Sequence, residues 1–200
     1  MRRLVLLRHG ETTGDSGSRY HGSSDHDLSL VGREQIRLAA VKLHNEHFDL
    51  IASSPLRRAW QSAWILGQGR PIKLVSGFRE IHFGRWEGLT RDEIEAADPT
   101  LFEDWVKHAP GFEYPGGEPR SEFKARVEQG LGELAAVPGN SALVVAHKGV
   151  IRTIVELLTG QAPPDGEPAL GEMIEVTAEP EGIWILGRHS SDPPSLAQTA

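Results

Sequence analysis

The stretch Leu4-Val5-Leu6-Leu7-Arg8-His9-Gly10-Glu11-Thr12 decides the fold of this chain. Four apolar residues in a row are typical of a strand that is buried on both faces, as in a parallel sheet. Such a strand delivers the residues that follow it to the carboxyl edge of the sheet, where open α/β folds bind ligands. An arginine, an imidazole and a glycine therefore arrive together at this edge. For these residues alone, a surface Arg-His pair that closes a strand is the competing interpretation.

The composition is that of a globular protein of ordinary size. The 200 residues are 38% hydrophobic and 24% charged, which is enough for one domain with a buried core. The formal net charge of −7 argues against a nucleic-acid partner, because surfaces that bind a duplex are basic. It does not exclude a small anionic substrate, since arginines gathered in one cleft reverse the local field.

The cellular location is predicted from three features of the sequence. The chain has no cysteine, so it offers no disulfide, no thiolate zinc site and no cysteine nucleophile. The apolar run at the start ends at Arg8, before it reaches the length of a signal core. No stretch is long enough to span a bilayer. We therefore expect a cytoplasmic protein with no membrane partner.

Predicted strands alternate with amphipathic helices along the chain. Helices are predicted over 30–47, from Ser54-Pro55 onward, near 90–97 and 99–107, from Phe123 to Leu134 and from Val150 to Leu158, and buried strands at 4–7, 49–53, 72–75 and 142–146. We expect Ser54 to cap its helix, with Pro55 in the first turn. Residues 173–177 and 183–186 predict a hairpin that turns at 180–182. The pattern indicates a three-layer α/β fold: a wound, mostly parallel sheet with helices on both faces and a C-terminal hairpin.

The domain organisation is predicted to be simple. Residues 1–188 form one predicted domain, and the tail 189–200, rich in Ser and Pro, is expected to lack regular structure. Within the domain, the segment 76–119 breaks the alternation and mixes aromatic residues with Gly and Pro. We interpret it as a cap over the substrate, with a packed excursion of no function as the alternative.

Three further side chains are predicted at the same edge of the sheet. Arg58 stands at the start of a helix, whose N-terminus favours an anion. Glu80 follows the third strand among aromatic residues, where a carboxyl group can have a raised pKa and act as a general acid. His147 ends a buried strand and can donate a hydrogen bond to a phosphoryl oxygen. Each of them alone is more often structural than catalytic, but together with Arg8 and His9 they converge on one edge.

Seven motifs occur in a recognisable order. They are Arg8-His9-Gly10-Glu11-Thr12, Arg19-Tyr20-His21-Gly22, Asp25-x-x-Leu28-Ser29-x-x-Gly32-x-x-Gln35, Ser54-Pro55-Leu56-x-Arg58-Ala59, Glu80-x-x-Phe83-Gly84-x-Trp86-Glu87-Gly88, Pro115-Gly116-Gly117-Glu118 and Val144-Val145-Ala146-His147-x-Gly149-Val150. In this order the chain resembles the histidine phosphatase superfamily, phosphoglycerate mutase-like branch, over nearly its whole length. The motif around Trp86 is similar to the phosphatase side of the family, which includes α-ribazole phosphatases and broad-specificity phosphoglycerate phosphatases.

The resemblance implies a role for each matched residue. His9 would be the nucleophile that is transiently phosphorylated, and Glu80 would protonate the leaving group and then activate water. Arg8, Arg58 and His147 would hold the phosphoryl oxygens, with no metal and no other cofactor. Candidate substrate-binding residues are Arg19, Gly22, Arg79, His82, Phe83 and Lys148.

Two positions depart from the family pattern. Asp15 stands where the family usually has asparagine, and an ionised carboxylate there would repel phosphate. We therefore expect Asp15 to be turned away from the pocket and paired with Arg19. Lys148 occupies a position that is commonly small, where it either adds a cation to the rim or points to solvent.

These features predict a metal-independent phosphomonoesterase that hydrolyses a small phosphorylated metabolite through a phosphohistidine intermediate. A cofactor-dependent phosphoglycerate mutase is the first alternative, although mutases of the family generally carry a longer insert between the acid and the second histidine. A non-catalytic domain that binds a phosphorylated ligand is the second, and the presence of both His9 and Glu80 argues against it. A homodimer is expected from the family alone.

Overall fold

The computed structural model describes residues 1–187, so the predicted domain end at 188 and the predicted tail 189–200 lie outside the described residues. The strands are β1 (Arg3–Arg8), β2 (Leu50–Ser53), β3 (Lys73–Leu74), β4 (Ser141–Ala146), β5 (Met173–Ala178) and β6 (Trp184–Gly187). The α-helices are α1 (Leu30–Lys42), α2 (Arg57–Gly67), α3 (Arg91–Ala97), α4 (Pro99–Val106), α5 (Arg120–Ala135) and α6 (Lys148–Thr159). Short 3-10 turns span Ser76–Phe78 and Gly84–Trp86. Among the helices described, none has the length and apolar character to cross a membrane.

The strands form one sheet in the order β3-β2-β4-β1-β5-β6. Strands β1 to β4 are parallel, whereas β5 runs antiparallel to β1 and pairs with β6 in a hairpin. Arg8 of β1 lies opposite Ala146 of β4, and Ser53 of β2 lies opposite Val145. The carboxyl ends of three strands therefore lie side by side, and the predicted α/β fold is confirmed.

Neighbouring residues of β1 face opposite layers of helices. Leu4 and Leu6 belong to a core shared with α5 and α6, and Val5 and Leu7 to a core shared with α1 and α2. Both faces of the strand are buried, which explains its uninterrupted apolar sequence. The segment 76–119 has a separate aromatic core, formed by Trp86, Ile94, Phe102 and Phe112.

Three local expectations differ from the structure. Helix α1 ends at Lys42 instead of 47, because the polar run 44–47 offers no apolar face to bury, and its first residue, Leu30, is 86% exposed. Strand β3 is shorter than the predicted 72–75. Helix α2 begins at Arg57, and Ser54 lies in the turn before it, where its hydroxyl accepts from the Leu56 N–H at 3.2 Å. Ser54 is not the helix cap, because Leu56 occupies the N-cap position and no side chain caps the helix there.

Candidate active site

The carboxyl ends of the central strands bring three side chains to one edge of the sheet. His9 directly follows β1, His147 directly follows β4, and Arg58 lies in the first turn of α2. The His9 N–H donates to the Ala146 carbonyl at 3.0 Å, which continues the pairing of β1 and β4 beyond their last residues. The exposed fractions of His9, Arg58 and His147 are 4%, 1% and 0%. The prediction that these residues converge therefore agrees with the structure.

The Arg58 side chain joins the two imidazoles, whose ring centroids are 5.1 Å apart. Its Nε donates to His9 Nε2 and to His147 Nδ1, both at 3.2 Å. His9 Nδ1 lies 2.7 Å from the carbonyl oxygen of Gly10, and because a carbonyl only accepts, the proton sits on Nδ1. His147 donates from Nε2 to Ser54 Oγ at 2.8 Å. Both rings are therefore neutral tautomers, and His9 keeps Nε2 unprotonated.

The surroundings stabilise the neutral form of both rings. Burial lowers the pKa of His9 and of His147 well below its usual value, and the Arg58 cation lowers it further. Burial also lowers the pKa of Arg58, to about 10, which leaves it charged near neutral pH. An imidazole that remains neutral in this way can act as a nucleophile.

Backbone carbonyls of one loop hold the far end of Arg58. Nη1 donates to the Ser24 carbonyl at 2.6 Å, and Nη2 donates to the carbonyls of Gly22 at 2.7 Å and His21 at 3.2 Å. Gly22, a predicted substrate-binding residue, therefore contacts the buried Arg58 guanidinium through its carbonyl.

The carboxylate of Glu87 fixes the same loop. It accepts from the N–H groups of Gly22 at 3.1 Å, Ser23 at 2.9 Å and Phe83 at 3.0 Å, and from the Ser24 hydroxyl at 2.7 Å. Burial raises the pKa of Glu87, but these hydrogen bonds outweigh burial and bring it below the usual value. Glu87 belongs to a recognised motif, yet nothing in its local sequence indicated that it anchors the loop around Arg58.

Glu80 reaches the site from the irregular segment 76–119. Its Oε2 accepts from the Gly149 N–H in the first turn of α6, and its Oε1 from the Ile81 N–H, both at 3.0 Å. A Cβ at position 149 would lie 2.5 Å from Oε1, so only glycine allows this approach. Burial raises the pKa of Glu80, although the two N–H groups and the nearby arginines oppose it. The predicted environment of a general acid is therefore present.

Arg8 provides a donor that finds no acceptor among residues 1–187. Its Nη1 donates to the Pro168 carbonyl at 3.1 Å, while its Nε is buried and has no hydrogen-bond partner in this part of the chain. Burial lowers the pKa of Arg8, and the Glu80 carboxylate opposes this effect. Because a buried N–H without an acceptor is costly, an anion bound at this edge would relieve that cost.

The other predicted substrate-binding residues divide into two groups. Phe83 contacts the site through its N–H bond to Glu87, and Lys148 is half-buried near Arg8. Burial and the positive charge of Arg8 lower the pKa of Lys148, and its part as a cation at the rim stays a prediction. Arg79 and His82 are exposed, and their part in substrate binding stays a prediction. Across residues 1–187, no three His, Asp or Glu side chains come close enough to hold a metal ion.

Asp15 is exposed, and its carboxylate accepts from the Ser18 hydroxyl at 2.6 Å. The expected pairing with Arg19 is wrong, because the Arg19 guanidinium is bonded to Glu93 at 2.9 Å and to the Gly88 carbonyl at 2.7 Å. Arg19 is thus held in an ion pair, and its predicted contact with substrate is untested.

Known proteins share this sequence pattern. The family model described as histidine phosphatase superfamily, branch 1, matches residues 4–185. Glucosyl-3-phosphoglycerate phosphatase of Mycolicibacterium vanbaalenii is 39% identical over 183 residues, which cover 86% of this chain and 80% of the relative. Phosphoserine phosphatase 1 of Hydrogenobacter thermophilus is 33% identical over 163 residues, which cover 80% of this chain and 77% of the relative.

Solved structures share the fold. A mycobacterial glucosyl-3-phosphoglycerate phosphatase in complex with VO3 superposes with a TM-score of 0.80 at 32% identity, covering 94% of this chain and 98% of that one. A putative alpha-ribazole-5'-P phosphatase from Escherichia coli superposes with a TM-score of 0.79 at 26% identity, covering 94% and 95%. The names of these relatives agree with the predicted phosphatase side of the family. The chain belongs to branch 1 of the histidine phosphatase superfamily.

Proposed function

We propose that this protein is a phosphatase that hydrolyses a small phosphate monoester through a phosphohistidine formed at His9. One arrangement carries the proposal: Arg58 Nε bridges two buried, neutral imidazoles, and a buried Glu80 with a raised pKa lies at the same edge. Nucleophile, anion-binding cation and proton donor are thus gathered in one site, as phosphoryl transfer to histidine requires.

The cations of the site bind the phosphoryl group and neutralise its charge. A phosphate monoester resists nucleophiles because its own charge repels them, so the site must neutralise that charge at fixed positions. Arg8 offers the buried Nε that has no acceptor among the described residues, and Arg58 Nε donates to His9. A dianion beside His147 would favour the protonated imidazole, which then donates to a phosphoryl oxygen.

The reaction then proceeds in two balanced steps. His9 Nε2 attacks phosphorus, a P–N bond forms, and the P–O bond to the leaving group breaks. Glu80 gives its proton to the departing oxygen, so that the product leaves as an alcohol. In the second step water attacks phosphorus, the Glu80 carboxylate takes a proton from it, and the P–N bond breaks. Inorganic phosphate and neutral His9 result.

The two pKa shifts make the required protonation states compatible. An ordinary imidazole is neutral only above about pH 6.5, and an ordinary glutamic acid is protonated only below about pH 4.3. A lowered pKa of His9 and a raised pKa of Glu80 widen the range in which both required forms coexist.

The substrate class follows from the relatives and from the aromatic segment. The relatives are named for glucosyl-3-phosphoglycerate, phosphoserine and alpha-ribazole-5'-P, which are phosphate esters of polar molecules. We assign the leaving group to the side of the segment 76–119, where the rings of Phe83 and Tyr114 lie 4.8 Å apart. Glucosyl-3-phosphoglycerate is the first candidate because the relative named for it is 39% identical.

Phosphate release from a panel of phosphomonoesters tests the activity. Brief exposure to a ³²P-labelled substrate, quenched in alkali because phosphohistidine is acid-labile, tests the intermediate, with His9→Ala as the control. We expect phosphate release from at least one compound and a label that is lost in the variant. Turnover without a label at His9 would overturn the covalent route. Transfer that depends on 2,3-bisphosphoglycerate without phosphate release would favour a mutase.

Two further proposals concern the setting of the enzyme. We propose a cytoplasmic location, because a chain without cysteine needs no oxidising compartment, and fractionation of cells tests it. We also propose a homodimer on the strength of the family, and light scattering of the purified protein tests that.

A further inference from the structure

We infer that Arg126, together with Glu118, is a positioning residue that holds the Glu80 carboxyl in its working place. The inference rests on the proposed role of Glu80 as the general acid. Neither Arg126 nor Glu118 touches the imidazoles or the anion-binding arginines through any hydrogen bond described for residues 1–187.

Every N–H donor of the Arg126 guanidinium is used. Nε donates to Glu118 Oε1 at 2.6 Å and Nη2 to Glu118 Oε2 at 2.8 Å, which is the bidentate geometry of a strong pair. Nη1 donates to the carbonyls of Gly77 at 2.8 Å and Arg79 at 2.5 Å, and Nη2 to that of Glu80 at 3.1 Å. Of the four backbone carbonyls of residues 77–80, three therefore accept hydrogen bonds from the Arg126 side chain on α5.

Glu118 holds the chain on the other side of Glu80. Its N–H donates to the His82 carbonyl at 3.0 Å, and its Oε2 accepts from the His82 N–H at 3.4 Å. The Arg126–Glu118 pair thus bonds to backbone groups on both sides of the acid, over 77–82.

Helix α5 is a firm base for this pair. The Arg126 guanidinium lies 4.7 Å from the centroid of the Phe123 ring on the preceding turn. The backbone of Gly77 packs so closely on the helix that a Cβ would lie 2.2 Å from the Arg126 carbonyl oxygen. With side-chain exposures of 24% and 19%, Arg126 and Glu118 are largely shielded from water, which strengthens their hydrogen bonds.

The position of Glu80 depends on these bonds because no strand or helix contains it. The segment around the acid has only short 3-10 turns, and within residues 1–187 the carboxyl itself accepts from just two N–H groups, those of Ile81 and Gly149. Arg126 bonds to the backbone of Glu80 and not to its carboxyl. Arg126 therefore affects the position of the proton donor and not its charge directly. A displacement of about 1 Å can lower the rate of a reaction about 100-fold.

The test replaces Arg126 by lysine, which keeps the charge but cannot serve five acceptors. We expect kcat/KM for an alkyl phosphate to fall about 30-fold, within the range that a general acid contributes; kcat/KM reports the phosphorylation of His9 and not the later hydrolysis, in which Glu80 acts as a base for every substrate. For p-nitrophenyl phosphate, whose leaving group needs little protonation, we expect kcat/KM to change by about threefold or less. Arg3→Lys is the matched control: Arg3 is likewise a partly buried arginine in an ion pair, with Glu46 and Glu175 and 27% side-chain exposure, but it lies at the opposite end of β1 from the site. Arg3→Lys should leave kcat/KM for both substrates unchanged.

A double-mutant cycle separates this inference from the function on which it rests. If Arg126 acts through Glu80, Arg126→Lys in a Glu80→Gln background should cause no further loss, whereas a general loss of structure would multiply the two effects. Equal losses for both substrates, or multiplied losses, overturn the inference while the acid role of Glu80 stands. If Glu80→Gln itself shows no dependence on the leaving group, the acid assignment fails and the inference fails with it. Should Arg126→Lys not fold, Glu118→Gln, which weakens the bidentate pair without removing it, must give the same selective loss.

Discussion

The two halves of the site are built in different ways. His9 and His147 directly follow β1 and β4, which pair residue by residue, so the sheet itself places the imidazoles. Glu80 and Glu87 belong to a segment with short 3-10 turns, and bonds from side chains to backbone place them. A regular sheet spreads the positioning of a side chain over many weak bonds, whereas the irregular segment concentrates it in a few charged groups. Single substitutions of these groups should therefore affect positioning more in the second half than in the first.

The largest effect on activity is expected at His9, the nucleophile that the sheet positions. His9→Ala should lower phosphate release by about 1,000-fold or more, because no other group in the site can form the covalent intermediate. The thermal unfolding curve should stay close to that of the wild type, since β1 and β4 hold the backbone there. Phosphate release within about tenfold of the wild type would remove His9 from this role.

The next effect concerns the acid and is visible in the pH profile. Burial raises the pKa of Glu80, so its protonated form, which donates to the leaving group, is lost as the pH rises through that raised value. We expect a bell-shaped profile of kcat/KM for the wild type. Glu80→Gln should lower kcat for an alkyl phosphate by about 100-fold and remove the alkaline limb that Glu80 causes. An unchanged alkaline limb in the variant would assign that limb to the substrate or to another group.

The third prediction concerns Glu87 and the loop that it anchors. Glu87→Gln removes the charge that accepts four hydrogen bonds, and we expect kcat/KM to fall about tenfold as Arg58 loses its fixed position. The free energy of unfolding at pH 7 should fall by about 2 kcal/mol, the scale of hydrogen bonds to a charged group. Glu93→Gln, which removes an exposed partner of Arg19, is the control and should change both quantities little.

The dependence of that stability loss on pH has a definite sign. The pKa of Glu87 is lowered in the folded protein, so the carboxylate stabilises the fold above its ordinary pKa, and this contribution disappears as the pH falls through the lowered value. The difference between wild type and Glu87→Gln should therefore be largest near neutral pH and vanish in acid. Denaturant titrations at several pH values measure it, and a difference that grows toward acid pH would contradict the proposed anchoring.

The smallest effect is expected at Asp15. Its carboxylate is exposed and bonded to Ser18, so Asp15→Asn should change inhibition by vanadate by about twofold at most. Inhibition of both proteins is compared at one pH and salt concentration. A tightening of about fivefold or more would mean that the carboxylate opposes anion binding after all.

The different construction of the two halves of the site also explains which residues could be predicted from the sequence. His9, Arg58 and His147 follow apolar runs or open a helix, and such local patterns indicate an edge of the sheet directly. A serine before a proline is typical of a helix cap, but α2 begins only at Arg57, and the fold brings the His147 ring to the Ser54 hydroxyl instead. No sequence pattern indicated a role for Arg126. Its side chain bonds to carbonyls nearly fifty positions away, and a local pattern cannot indicate a contact over such a distance along the chain.

The Glu87 carboxylate also couples the local opening of the two stretches of chain whose amides it binds. The amide hydrogens of Gly22, Ser23 and Phe83 are all bonded to one carboxylate, although they come from two separate stretches of chain. Amide hydrogens exchange with solvent only when their bonds break, and residues that open together exchange with one common free energy. These three amides should therefore behave as a single cooperative unit in hydrogen-exchange experiments. The loop whose carbonyls bind the Arg58 guanidinium and the segment that carries Glu80 would then fluctuate together rather than independently.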